Sequence, residues 1–103
     1  MTKSTTTMQP RYKNTPRPGE LQASLIKRLN RVIGQLNGVK SMIDENRYCG
    51  DVLIQLSAAE NAIKSIERSV LENHLHTCIV EKIQAGDLEV IDEAMDLVRR
   101  VAK

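Results

Sequence analysis

The sequence predicts an all-α protein, a long antiparallel helical hairpin followed by a short C-terminal helix. Three observations carry this. Along two long stretches apolar residues recur at alternating steps of four and three, the period of packed α-helices and not of strands. The second stretch, residues 51–85, contains neither Gly nor Pro. With no Trp, no Phe and two Tyr, the core has to be built from Leu, Ile, Val, Ala and Met, a supply that suits interdigitating helices.

Taken in order, residues 1–20 hold all three prolines, a run of Thr and Ser, and Lys3, Arg11, Lys13 and Arg17, without apolar periodicity. They predict a disordered basic arm, either a solvated tail or a phosphate-contacting segment, ahead of a helical domain over 21–103. Leu25, Leu29, Val32, Leu36, Val39 and Ile43 then mark a first helix over about 20–46, ending in the polar run Asp44-Glu45-Asn46. Gly34 and Gly38 lie within it, each weakening the helix by ~1 kcal/mol relative to Ala. Residues 46–50 are the break, short enough to make the two helices antiparallel neighbours, and Asp51 stands near the next start to complement its dipole. Val52, Leu56, Ala59, Ile63, Ile66 and Val70 form the seam of the second helix, which Gly86 should end in the left-handed conformation, with Asp87 capping the next helix. This third helix, over about 88–102, sets Ile91, Ala94, Val98 and Val101 on one face. The far end of the second helix, with His74, Leu75, Cys78, Ile79 and Ile83, overhangs the hairpin and needs cover from the third helix or from another subunit. So small a core in about 80 ordered residues favours association on its own account.

The net charge of +2 hides an asymmetry. Residues 1–47 carry nine Lys and Arg against three acidic residues, and residues 48–103 carry six against ten. Lys27, Arg28, Arg31, Gln35 and Lys40 lie off the apolar seam of the first helix, so the basic half is the candidate surface for a polyanion. The N-terminus is polar and no apolar run approaches the ~20 residues of a membrane span, which predicts a cytosolic protein with no membrane partner. Two cysteines in that compartment suggest metal or redox chemistry before a structural disulfide.

His74 and Cys78 are four residues apart and share a helix face. Cys49 begins the same helix, and at about 1.5 Å per residue an unbroken helix separates Cys49 from His74 by roughly 37 Å. One ion can therefore meet all three only if Cys49 comes from one subunit and His74 with Cys78 from another, as an antiparallel pairing allows at two symmetric places. Two thiolates and one imidazole form a soft set of low coordination number. On residue types alone Cu(I) leads and Zn(II) follows. His76 points to the far side of the helix and stays outside the set.

The runs Arg28-Leu29-Asn30-Arg31-Val32-Ile33-Gly34-Gln35, Arg47-Tyr48-Cys49 and His74-Leu75-His76-Thr77-Cys78 resemble the CsoR/RcnR group of bacterial repressors, over about residues 25–101. The resemblance implies an all-helical protomer, an antiparallel dimer, a disc-shaped homotetramer, and an apo-form that binds operator DNA until an inducer releases it. It implies a metal set of Cys49, His74 and Cys78 like that of the Cu(I) sensors, with Tyr48 and Glu93 hydrogen-bonded around His74. It also implies operator contacts from Arg28 and Gln35, with Lys27, Arg31, Lys40 and Arg47 as supporting charge. Nickel and cobalt sensors of the group have His where Cys78 stands and use an N-terminal His, whereas this chain has none before His74. Formaldehyde sensors carry proline at position two, here Thr2, and persulfide sensors usually lack the His.

The expectation is a Cu(I)-responsive transcriptional repressor and not an enzyme, since no acid and base pair in an enclosed pocket is evident. Rival readings are a thiol, persulfide or other-metal sensor of the same fold, and a metal buffer that never touches DNA.

Overall fold

The computed structural model describes residues 9–103. The first part of the expected arm, with Lys3, lies outside the described residues. Residues 9–18 are irregular, and the first helix, α1, runs from Gly19 to Asp44. Pro18 precedes it and its carbonyl accepts from the Gln22 N–H at 2.9 Å, so the missing proline N–H costs the helix nothing. Asn46, at φ 57°, ends the run in the left-handed conformation. The Arg47 N–H then reaches the Met42 carbonyl at 2.9 Å, closing the terminus with the non-glycine residue best suited to that backbone.

Helix α2 spans Cys49–His74 with Asp51 in its first turn. Helical dihedrals continue without interruption through a π-helical turn, Leu75–Ile79, into α3, Val80–Gln84. The expected single rod is therefore present, with one widened turn inside it. Thr77 supplies a local cause. Its hydroxyl donates to the Asn73 carbonyl at 2.8 Å, four residues back, and so competes with the backbone N–H that an α-helix would bring there. Gly86, at φ 92°, stops the rod as expected, and the Asp87 N–H donates to the Lys82 carbonyl at 2.9 Å.

The last helix, α4, is Val90–Ala102. It begins two residues later than expected, and Glu89, not Asp87, occupies the cap position, with no side-chain cap bond. Its register also differs. Val90 and Ala94 are buried against Ile79 and Leu75, while Ile91 is 46% exposed. A 3.6-residue period accommodates a line through either Val90 or Ile91, and the contact with Ile79 selects Val90. Thus α4 covers much of the overhang of the second rod.

Helices α1 and α2 pack as an antiparallel hairpin around Leu25, Val32 and Ile66, flanked by Leu21, Ala62 and Val70. The two apolar seams are each used by halves. Leu25, Val32 and Val39, seven residues apart, are buried, as are Ala59 and Ile66. The alternate set, Leu29, Leu36 and Ile43 with Leu56 and Ile63, stays 38–59% exposed. Every second position of the first seam, with Leu56 and Ile63 of the second, thus stays partly exposed in the protomer, whereas Val70 packs on the hairpin core. The described residues are all-helical apart from turns and coil, and no helix among them is long and apolar enough to cross a membrane.

Candidate metal centre

Between the second rod and α4 lies a cavity of about 650 Å³. Its floor is apolar, from Leu29, Ile66, Val70, Leu97 and Val101, and its rim is polar, from Arg11, Lys13, His74, Cys78 and Glu93. His74 closes α2 and Cys78 sits in the π turn. The widened turn takes more residues per revolution than an α-turn, so a residue four positions on still lies over the first. Both side chains reach the same cavity.

His74 is half-buried, and its Nε2 is shielded from solvent without a hydrogen-bond partner, 3.9 Å from Glu93 Oε2. That distance allows attraction but exceeds a hydrogen bond. Burial lowers the His74 pKa; Glu93 opposes this, while Lys13, Lys82 and Arg11 reinforce it. The imidazole is accordingly neutral near pH 7 and keeps a nitrogen lone pair for a metal. With Nε2 turned toward Glu93, the other ring nitrogen of a neutral imidazole beside a thiol fits a soft ion. The same Glu93 carboxylate lies 3.7 Å from Arg11 Nη2.

Lys13 Nζ donates to Cys78 Sγ at 3.0 Å, to Thr77 Oγ1 at 3.2 Å and to Asn73 Oδ1 at 3.3 Å. Burial works against the Cys78 thiolate, as does Glu81, yet the hydrogen bonds from Lys13 and Thr77 together with the Lys13 charge hold the thiol below its ordinary pKa. Thr15 adds a hydrogen bond to Glu81, so the described part of the arm crosses the rim of the cavity. In the Lys13→Gln variant, Cys78 should need a higher pH to react, and iodoacetamide alkylation rates of metal-free protein across roughly pH 6–10 check this. An unchanged profile would mean that the ammonium does not act on the sulfur.

Cys49 stands apart from all of this. It is the exposed first residue of the 26-residue helix α2, of which His74 is the last, and the two lie about 37 Å apart at 1.5 Å of rise per residue. Tyr48 is beside it, 76% exposed, with its ring folded over Gly50, where an added Cβ would meet Cε2 at 2.7 Å. Glu93 and His74 are therefore together in one protomer, whereas Cys49 and Tyr48 are at the opposite end. Among the described residues no three His, Cys, Asp or Glu side chains gather as a metal set within the protomer, and both cysteines are free thiols.

The basic residues form a separate face. Arg28 is held by Ser65 and Ser69 of α2, and with Arg31 and Gln35 it lines a shallow groove between α1 and α2. Gln35 also borders a second groove with Arg47 near the hairpin turn. Lys27, Arg31, Lys40 and Arg47 are exposed.

Sequence reasoning did not find Lys13, Arg11 or the π turn. The arm has no periodicity that would say where it docks, and the only available signal was its positive charge against the acidic residues 81 and 93.

Residues 22–100 match the family model described as metal-sensitive transcriptional repressor. The copper-sensing transcriptional repressor CsoR of Bacillus subtilis (strain 168) is 38% identical over 80 residues, covering 77% of this chain and 79% of that protein. The copper-sensing repressor RicR of Mycobacterium tuberculosis (strain ATCC 25618 / H37Rv) is 43% identical over 60 residues, 58% of this chain and 62% of that one. Among solved structures, the Cu(I)-bound copper-sensing repressor CsoR of Geobacillus thermodenitrificans NG80-2 superposes with a TM-score of 0.78 at 37% identity, covering 88% of this chain and 96% of that chain. The nickel-responsive transcriptional regulator InrS superposes with a TM-score of 0.65 at 31% identity, covering 87% and 99%.

Proposed function

Because the chain belongs to the family of metal-sensitive transcriptional repressors, whose members are regulators and not enzymes, we propose that it is a Cu(I)-responsive repressor acting on operator DNA in the cytosol. The metal-free form binds the operator, and Cu(I) held by Cys49 of the partner subunit with His74 and Cys78 releases it. The observation that carries this reading is the half-site: a neutral imidazole and a thiolate-prone sulfur at one end of a rod whose other end bears an exposed thiol. Relatives at 35–43% identity are copper sensors by name, which favours copper over the nickel of the InrS neighbour.

The unused seam of Leu29, Leu36, Ile43, Leu56 and Ile63 supports an antiparallel dimer, and the exposed Ile91 and Met95 of α4 offer further apolar area for a disc-shaped tetramer. When bound, the ion supplies a soft acid that thiolates and imidazole together satisfy. The chain's own residues do the rest. Glu93 attracts the His74 Nε2–H and so leaves Nδ1 as the donor, with Tyr48 of the partner subunit as a further hydrogen-bonding group. Lys13, which donates to the Cys78 sulfur in the metal-free chain, would lend positive charge and a hydrogen bond beside a metal-bound thiolate. Arg28 and Gln35 contact the operator, with Lys27, Arg31, Lys40 and Arg47 lending charge.

Anaerobic titration of reduced protein with Cu(I) against a strong chelator should give one copper per chain, and X-ray absorption should give two sulfur neighbours and one nitrogen. A first sphere without two sulfurs would refute the site. Lys13's hold on Cys78 also favours a second reading, a thiol sensor in which an external two-electron oxidant joins Cys49 and Cys78 of facing subunits as a disulfide. A His74→Ala variant that keeps its response without metal would select that reading.

A further inference from the structure

We propose that Ser65 and Ser69 are positioning residues for DNA binding, holding the Arg28 guanidinium against α2 with its remaining N–H groups turned to a phosphate. The proposal rests on the operator role proposed above for Arg28. Arg28 Nη2 donates to Ser65 Oγ at 2.8 Å and Nη1 to Ser69 Oγ at 3.1 Å. The two serines are one turn apart and so share a helix face. The Ser69 hydroxyl spends its proton on the Ser65 carbonyl at 3.2 Å, which leaves its oxygen lone pairs for the guanidinium.

The chemistry of the tether matters. A carboxylate at either position would orient Arg28 but neutralise it, and the anion would compete with phosphate for the same fork. Hydroxyls orient without neutralising, and no ion pair of Arg28 occurs among the described residues. Of about five guanidinium N–H donors two are used by serine, so about three remain for a phosphate. A long, flexible side chain is thereby set in place before the nucleic acid arrives, which cuts the ordering cost of binding. Because Ser69 is on the helix that ends in His74, the α1 guanidinium is also fixed to the rod of the metal half-site. Lys27 and Arg31, its exposed neighbours on α1, have no such hold among the described residues' hydrogen bonds.

The test uses full-length metal-free protein and a fluorescein-labelled duplex that the wild-type protein has selected from a random-sequence pool. Fluorescence anisotropy is read at several salt concentrations. The Ser65→Ala/Ser69→Ala variant should bind about tenfold more weakly, with an unchanged salt slope, because no phosphate contact is deleted. Ser65→Thr/Ser69→Thr, which keeps both hydroxyls, should restore binding. Arg28→Ala should lose at least as much affinity and lower the salt slope by about 1. In that background the serine-to-alanine changes should add nothing. The proposal is overturned if alanine at both serines leaves binding unchanged while Arg28→Ala weakens it, or if the serine effect persists without Arg28. Wild-type binding by Arg28→Ala would instead overturn the operator role itself, a separate failure read from a separate variant. Alanine favours helix, so unchanged melting of the variants is expected and separates a lost tether from a lost fold.

Discussion

The Cys49→Ala variant is expected to bind operator DNA as tightly as wild type when metal-free and to be deaf to copper. Cys49 is exposed at the start of α2 and takes no part in the buried clusters of the protomer, so its loss should leave the fold and the basic face intact. Removing one thiolate of the three proposed ligands should lower Cu(I) affinity by more than about 100-fold, the upper end of what even non-ligating partners of a metal site typically contribute. The ratio of operator Kd with and without Cu(I) should then fall to about one, because a ligand shifts a conformational equilibrium only by its differential affinity for the two states. Anisotropy titrations with a competing chelator read both quantities. Copper-driven release that survives in this variant would remove the shared site from the mechanism.

A larger physical effect is expected from the unused half of the seam. Leu36 is 39% exposed in the protomer while Ile66, in the opposing helix, is 7% exposed. Leu36→Glu should leave the hairpin folded and break the proposed assembly, since a carboxylate buried without a partner in such an interface is strongly unfavourable. Light scattering should show protomer mass where wild type shows the oligomer, and operator binding should go with it. Ile66→Ala acts on the inner half, and its cavity should cost ~2–5 kcal/mol of a total that is typically ~5–15 kcal/mol. That variant should melt lower even at high protein concentration. Full oligomer mass for Leu36→Glu would show that this face is not the interface.

These two variants also mark where sequence reasoning reached and where it stopped. The alternation of four and three, the gap at 46–50 and Gly86 were enough for the hairpin, its antiparallel sense and the end of the second rod. They could not say which half of each seam faces inward, because both halves are equally apolar and only packing separates Val32 from Leu36. The same degeneracy moved the α4 contact line from Ile91 to Val90. His74 and Cys78 were legible as a pair because four residues share a face in either an α- or a π-turn. For that reason too the π turn left no trace in the spacing. Lys13 was beyond reach, since what holds it to Cys78 is a contact between irregular chain and helix, which no period encodes.

The separation of Cys49 from His74 and Cys78 along one rod has a consequence for genetics. If facing copies share their donors crosswise, a copy lacking Cys49 and a copy lacking Cys78 carry complementary lesions. Each alone is blind, but co-expressed they form mixed pairs in which one of the two binding places is whole. Two copper-blind alleles would then together regain copper binding, one ion per mixed pair, whereas two alleles damaged at His74 and Cys78 would not.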